Sequence, residues 1–180
     1  LPAGDAPDLR ARALNSLGAA YFRLGRVDDA AVVYTQAAQL TDNGGDVQSR
    51  AKAYAGLGAV ASQRLELDLA ATWFGRARTL FDLANDMNGV ASIDFNLGLN
   101  AMQRGQPAAA LTMLRGVGAR FAELGFQDAL IAAKVATVDA ELATLDLAAA
   151  LATSDGFAAL ATQANARQRG ELDIARAAAL

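Results

Sequence analysis

The feature that most constrains this chain is a repeat with a fixed period of 40 residues. Leucine-glycine doublets recur at that spacing, at Leu17-Gly18, Leu57-Gly58 and Leu97-Gly98. An alanine stands thirteen residues after each leucine and again one period later, at Ala30, Ala70, Ala110 and Ala150. Periods of about 20 to 50 residues are typical of stacked repeats, in which each unit buries its apolar face against its neighbours. The sequence therefore predicts a stacked repeat architecture.

The composition predicts that each repeat is helical. Alanine, the strongest helix former, makes up about a quarter of the chain, and only three prolines occur. In the first repeat, Leu14, Tyr21 and Leu24 share one helix face with Leu17. We therefore predict an all-α fold with paired helices at 9–24 and 27–40, 47–63 and 67–83, 89–104 and 107–124, and 127–145 and 147–163. A last helix at 166–180 would have Asn165 as its N-cap.

These helices group into one predicted domain that covers 1–180. The repeats are expected at about 8–46, 47–86, 87–126 and 127–164, followed at 165–180 by the start of a fifth repeat or a capping helix. The chain begins at Leu1 without a visible signal peptide and stops inside the last helix. We therefore expect a mature form or a piece of a larger protein. The absence of cysteine leaves the compartment open, with the cytoplasm favoured over the periplasm.

Several function classes are excluded by the residue types present. Histidine and cysteine are both absent, which removes disulfides, Cys or His metal sites and the Ser-His-Asp triad. The net charge of −3 argues against a nucleic-acid partner, and no apolar run is long enough to insert into a membrane. The acidic pairs Asp28-Asp29 and Glu66-Asp68 lie at predicted helix starts, where the macrodipole favours them. We expect neither an enzyme nor a cofactor.

The residues at the repeated positions resemble the tetratricopeptide repeat. The first repeat carries Leu14, Leu17, Gly18, Tyr21, Ala30, Tyr34 and Ala37 at its signature positions. The second carries Tyr54, Leu57, Gly58, Ala61, Ala70, Phe74 and Ala77, and the third carries Leu97, Gly98, Ala101, Ala110, Leu114 and Val117. The fourth repeat departs from the signature at Thr137-Val138, Glu141, Ser154 and Phe157. The period of 40 is similar to that of the longer repeats of bacterial signalling and transcriptional regulators.

The resemblance implies a right-handed α-α superhelix, or solenoid, of about four helix-turn-helix repeats plus a C-terminal helix. In that family the first helices of the repeats line a concave groove that binds a peptide. Carried over to this sequence, the groove residues are Arg12, Asn15, Phe22, Arg23, Lys52, Gln63, Phe95, Asn96, Leu99, Met102 and Gln103. The alternative interpretation is that these side chains are ordinary solvated residues of the helices and have no role in binding.

The chemistry of these groove residues indicates the kind of partner. Arg12, Arg23 and Lys52 are suited to a carboxylate, and the amides of Asn15 and Asn96 to an extended peptide backbone. The other end of the groove is more apolar. We therefore predict a non-catalytic scaffold that binds a protein or peptide, as the sensor or adaptor part of a larger bacterial regulator or assembly factor. The alternative is self-assembly or dimerisation through the apolar face at 174–180.

Overall fold

The computed structural model describes residues 5–42, 45–162 and 164–180, and every regular element in that part is an α-helix. The helices are α1 (Asp5–Arg23), α2 (Val27–Thr41), α3 (Val47–Gln63), α4 (Leu67–Leu83), α5 (Met87–Gln103), α6 (Pro107–Glu123), α7 (Gln127–Ala143), α8 (Leu147–Asp155), α9 (Phe157–Ala161) and α10 (Ala166–Ala179). The predicted all-α class is confirmed. Residues 1–4 of the predicted domain and Gln163, at the predicted end of the eighth helix, lie outside the described residues.

Left-handed turns recur with the same period as the sequence. Within the described residues, the turns inside the four repeats place Gly25, Leu65, Gly105 and Leu145 at φ between 60° and 74°. In the first of them, the N–H of Arg26 donates to the carbonyl of Tyr21 at 2.9 Å, which closes the end of α1. Glycine adopts this backbone region freely, whereas leucine is strained there. The turn geometry is thus preserved even where the sequence lacks glycine.

The chain divides into two compact units, Leu1–Ile93 and Asp94–Leu180. The core of the N-terminal unit includes Ala30, Tyr34 and Leu57, with Tyr21, Phe22 and Trp73 packed against it. The C-terminal unit has a core of buried residues from α7 to α10, which are Ile131, Val138, Ala150, Phe157, Ala164, Leu172, Ala175 and Ala179. Each unit therefore has an apolar core of its own.

The glycine of each Leu-Gly doublet contacts the second helix of its own repeat. A Cβ atom at Gly18 would lie 2.7 Å from the ring of Tyr34, and one at Gly58 would lie 2.5 Å from the ring of Phe74. A Cβ atom at Gly98 would lie 2.8 Å from a methyl carbon of Leu114. Such distances are shorter than van der Waals contact, so no larger residue fits without moving its neighbour. The doublets therefore mark a close helix crossing in each of the first three repeats.

The fourth repeat distributes its side-chain volume differently. Val138 occupies the glycine position and Ser154, sixteen residues later, occupies the aromatic position, and both are buried. The predicted single helix at 147–163 is wrong, because α8 ends at Asp155 and α9 begins at Phe157. Phe157 is buried at a position where the first two repeats have alanine. The break follows a run of weak helix formers at 153–156 and lies beside Phe157, which needs more room than an alanine at a close helix contact.

Two predictions about helix ends have clear outcomes. Asn165 caps α10 as expected, and it forms a capping box with Gln168 in which each side chain binds the other residue's backbone N–H. The predicted acidic residues Asp28 and Asp29 lie in the first turn of α2. They also form ion pairs, Asp29 with Arg26 at 2.7 Å and Asp28 with Arg64 at the end of α3. The second pair links the first two repeats.

Candidate peptide-binding site

Asn15 on α1 is a buried amide with one satisfied and one unsatisfied group. Its side chain is 8% exposed, and Nδ2 donates to the carbonyl of Ser49 on α3 at 2.8 Å. Because a carbonyl oxygen can only accept, this hydrogen bond fixes which end of the amide faces Ser49. The other end, Oδ1, is buried and has no hydrogen-bond partner among the described residues. Native proteins seldom leave a buried polar atom unpaired, so this oxygen is a candidate acceptor for a ligand.

Asn15 lines a cavity of about 390 Å³ in the N-terminal unit, whose walls are Arg12, Asn15, Ser16, Ala19, Tyr34 and Lys52. A second cavity of about 750 Å³ shares Arg12 and Lys52 and is also lined by Asp8, Leu9, Gly45, Asp46, Gln48 and Ser49. We call the two together the α1–α3 trough. The trough brings together three residues that the sequence placed in one groove, Arg12, Asn15 and Lys52.

The cations of the α1–α3 trough form no ion pairs with described residues, whereas its carboxylates accept hydrogen bonds within the N-terminal unit. Neither Arg12 nor Lys52 forms an ion pair with any described residue. Asp46 caps α3, and a hydrogen bond from the Ser49 hydroxyl, helped by two backbone N–H groups and by Arg12, lowers its pKa. Asp8 accepts a hydrogen bond from the backbone N–H of Asp46 at 2.9 Å. The two exposed cations are therefore the charges available to a ligand.

Tyr34 on α2 forms an aromatic wall of the trough. Its ring lies against Gly18 of its own repeat and Gly56 of the next, and a Cβ atom at either glycine would overlap the ring. Burial raises the pKa of the Tyr34 hydroxyl, while the charge of Arg23 acts in the opposite direction. The tyrosine thus stays neutral at physiological pH and is held in position from both sides.

Comparisons with known proteins bear on this arrangement. Residues 11–43, which contain Arg12, Asn15 and Tyr34, match the family model described as tetratricopeptide repeat. No curated protein sequence matches the chain. The structure of aspartyl phosphate phosphatase F from Bacillus subtilis matches with a TM-score of 0.86 and 13% identity, over 94% of this chain and 45% of that one. The chain therefore spans less than half the length of that protein.

Two further solved structures have the same fold. A putative kinesin light chain of Podosopora anserina with nearly identical TPR-like repeats matches with a TM-score of 0.76 and 16% identity, over 96% of this chain and 87% of that one. A second structure of that light chain, in a substituted form, matches with a TM-score of 0.67 and 17% identity, over 86% of this chain and 76% of that one. Residues 11–43 therefore match one tetratricopeptide repeat, and the described residues as a whole have a TPR-like helical repeat fold. This confirms the predicted solenoid class, and at these identities the likeness to the solved structures shows the fold alone.

The predicted groove residues other than Arg12, Asn15 and Lys52 do not line the α1–α3 trough. In the N-terminal unit, Phe22 packs against the Tyr34 core, and Arg23 and Gln63 are exposed outside the two cavities. In the C-terminal unit, the ring of Phe95 packs edge-on against Phe121, with 6.1 Å between centroids.

Four predicted groove residues remain, all on α5 in the C-terminal unit. Met102 packs against the cluster of Ala101 and Leu114. Asn96 is half-buried, and Leu99 and Gln103 are exposed. Their role in binding, like that of the residues outside the trough, stays a prediction.

Glu141 is a buried carboxylate in the fourth repeat whose role the sequence did not reveal. It is 1% exposed, and its Oε1 accepts a hydrogen bond from Arg115 on α6 at 2.8 Å. Its Oε2 is buried with no partner among the described residues. The Arg115 side chain is 53% exposed, so one partner of this ion pair faces solvent. The sequence signal for this buried charge was that a glutamate stands at a position where the tetratricopeptide signature has tyrosine.

Metal-binding clusters and membrane-spanning helices are both absent from the part of the chain that the structure describes. In that part of the chain, no group of three or more acidic residues is arranged to hold a metal ion. None of the helices described is long and apolar enough to cross a membrane.

Proposed function

We propose that this chain is a non-catalytic scaffold that binds an extended acidic segment of a partner protein in the α1–α3 trough. The tetratricopeptide-type fold supports the scaffold role. The observation that carries the specific site is the buried Oδ1 of Asn15, which has no partner among the described residues and belongs to a side chain that lines the same cavity as Arg12 and Lys52. A trough that offers one buried acceptor and two free positive charges is complementary to a peptide that carries N–H donors and carboxylates.

The direction of the Asn15 amide supports a peptide backbone as the occupant. Oδ1 can only accept, so the ligand must bring a donor, and every non-proline residue of a peptide offers an N–H group. Arg12 and Lys52 then interact with the side-chain or terminal carboxylates of the same segment. Because these two cations are exposed, their attraction is screened by salt, and we expect the affinity to fall as ionic strength rises.

The proposed cellular role is that of a sensor or adaptor within a larger bacterial regulator or assembly factor. It is supported by the long repeat period and by the fold shared with a phosphatase structure from Bacillus subtilis, of which the chain spans 45%. The scaffold would position its partner and leave any chemistry to other proteins or domains.

The test is binding of the whole chain to an array of extended peptides of varied charge. Acidic peptides are expected to be enriched, and each of Arg12→Glu and Lys52→Glu should weaken their binding at least tenfold. Arg10→Glu is the matched control, because Arg10 is exposed on the same helix but lines neither cavity. Peptide binding that is insensitive to Arg12→Glu and Lys52→Glu would rule out the α1–α3 trough.

Self-assembly through the last helix stays a second prediction. Helix α10 buries Leu172, Ala175 and Ala179 within the C-terminal unit, so most of its apolar face is already covered. Ile174 is 73% exposed, and Leu180 is also exposed, which leaves a small apolar surface for a second copy. Sedimentation of the chain at high concentration tests this proposal, since a monomer under those conditions contradicts it.

A further inference from the structure

A third cavity of the N-terminal unit, lined by a different set of residues, carries two arginines. It has a volume of about 340 Å³, and its lining consists of Arg50, Tyr54, Arg76, Thr79 and Leu80. None of these residues lines the α1–α3 trough, and the lining contains no carboxylate. Neither arginine forms an ion pair with any described residue. The cavity thus places two uncompensated positive charges at one small site.

The arginines are held in different ways. Arg76 lies over the ring of Trp73, with its central carbon 4.9 Å from the ring centroid, so its in-plane N–H groups stay available. Trp73 is in turn packed against Tyr54, with 5.2 Å between ring centroids. On α3, the Nε of Arg50 is buried and has no hydrogen-bond partner among the described residues. A rotation of the guanidinium towards the cavity would pair this donor with a bound anion and remove the cost of leaving it unpaired.

We propose that this cavity binds an aryl phosphate monoester. A phosphate monoester carries a charge of about −1.5 to −2 at neutral pH, which matches two guanidinium groups, whereas a single carboxylate would leave one of them unbalanced. The planar forks of Arg50 and Arg76 suit phosphate oxygens, and the hydroxyl of Tyr54, which is unpaired among the described residues, adds a third donor. The Tyr54 ring and Leu80 offer apolar contact to an aromatic group on the ester. This site is independent of the proposed peptide site.

Trp73 makes the proposal directly measurable, since it is the single tryptophan of the chain and contacts both Arg76 and Tyr54. Phenyl phosphate is titrated into the whole chain at constant ionic strength while the tryptophan emission is followed. We expect a saturable change, and at least tenfold weaker binding of benzoate. Benzoate that binds as tightly as phenyl phosphate would overturn the assignment of a phosphate monoester.

The variants for this titration are Arg50→Gln and Arg76→Gln, each expected to weaken phenyl phosphate binding at least tenfold. Arg10→Gln is the control with the same loss of charge, and it should bind as the unmodified chain does. Arg76 is exposed, so its variant keeps the test valid even if Arg50→Gln fails to fold. Unchanged affinity in Arg76→Gln contradicts the proposal. A short phosphotyrosine peptide serves as a second ligand: tighter binding than phenyl phosphate indicates a phosphorylated partner protein, and equal binding indicates a small-molecule ester.

Discussion

Asn15 in the N-terminal unit and Glu141 in the C-terminal unit are buried polar residues with opposite surroundings. Each has one hydrogen-bonded atom and one oxygen that has no partner among the described residues. Asn15 is held by a backbone carbonyl and lines a cavity together with Arg12 and Lys52, which form no ion pair with a described residue. Glu141 is held by the guanidinium of Arg115, so its charge is already balanced within the protein. The two unsatisfied oxygens therefore differ in their surroundings, because one belongs to a neutral amide and the other to a carboxylate that is paired with an arginine.

The difference separates a binding group from a structural one. A neutral amide with a free acceptor next to free cations gains interactions when a ligand arrives. A buried carboxylate paired with a half-exposed arginine would lose its partner if that arginine turned to a ligand. The surroundings of Asn15 are therefore the proposed place of partner binding, and those of Glu141 contribute to helix packing.

The largest expected effect comes from removing Arg115. Arg115→Ala leaves the buried carboxylate of Glu141 uncompensated, and we expect it to lower the free energy of unfolding by about 3 kcal/mol. Chemical denaturation followed by circular dichroism measures this loss. The double variant Arg115→Ala with Glu141→Gln should recover much of it. Arg12→Ala in the N-terminal unit is the contrasting change, expected within about 0.5 kcal/mol of the unmodified chain; equal losses for the two arginines would remove the distinction between the sites.

A double-mutant cycle tests whether the small-large pair of Gly58 and Phe74 in the second repeat can be replaced by the valine-serine pair of the fourth repeat. Gly58→Val should destabilise the chain by about 1–3 kcal/mol, because its side chain would overlap the ring of Phe74. Combined with Phe74→Ser, which reproduces the pair at 138 and 154, the total loss should be smaller than the sum of the single losses. Thermal and denaturant unfolding of all four proteins give the coupling energy. Strictly additive losses would contradict the idea that a larger residue at position 58 is compensated by a smaller one at position 74.

The cap of α3 should give the N-terminal unit a dependence on pH. The pKa of Asp46 is lowered in the folded chain, so its ionised form stabilises the fold above the ordinary value of 3.8 and this contribution is lost as the pH falls below it. Asp46→Ala should therefore cost about 1 kcal/mol at neutral pH, with a smaller difference from the unmodified chain in acid. Denaturation at a series of pH values measures the gap, and a gap that stays constant with pH contradicts the role of charge.

The smallest expected effect is a gain in stability at a strained turn. Leu145 has φ of 61° and is 84% exposed, so Leu145→Gly relieves strain and sacrifices little burial. We expect it to raise the free energy of unfolding by about 0.5–1 kcal/mol, after allowing for the entropy of glycine in the unfolded chain. The control is Leu147→Gly, in the first turn of α8, where glycine should destabilise. A loss of stability in both variants would mean that the turn is unstrained.

Much of the fold could be predicted from the sequence because the repeat signal is local and periodic. The leucine-glycine doublets and the turn positions locate the helix ends within a few residues along most of the described chain. The break at Gly156 has a local signal in the run of weak helix formers at 153–156, although the period of 40 favoured one continuous helix. The burial of Phe157 beside the break is a property of packing, which helix propensity does not show.

The candidate site could be predicted only in part. The repeat register identified Arg12, Asn15 and Lys52, which line one trough in the structure. Register alone could not show that Asn15 is fixed by the carbonyl of Ser49, since that contact joins residues 34 positions apart. The cavity of Arg50 and Arg76 could not be predicted from the sequence either, because it depends on which faces of α3 and α4 meet.

The most direct test of the peptide site is the mapping of amide chemical shifts of the whole chain by NMR as an acidic peptide from the array is added. We predict that the largest changes cluster around Arg12, Asn15 and Lys52, including the side-chain amide of Asn15, and that they are lost in Arg12→Glu but kept in Arg10→Glu. Changes that cluster elsewhere at saturation, or that persist in Arg12→Glu, would contradict binding in the α1–α3 trough.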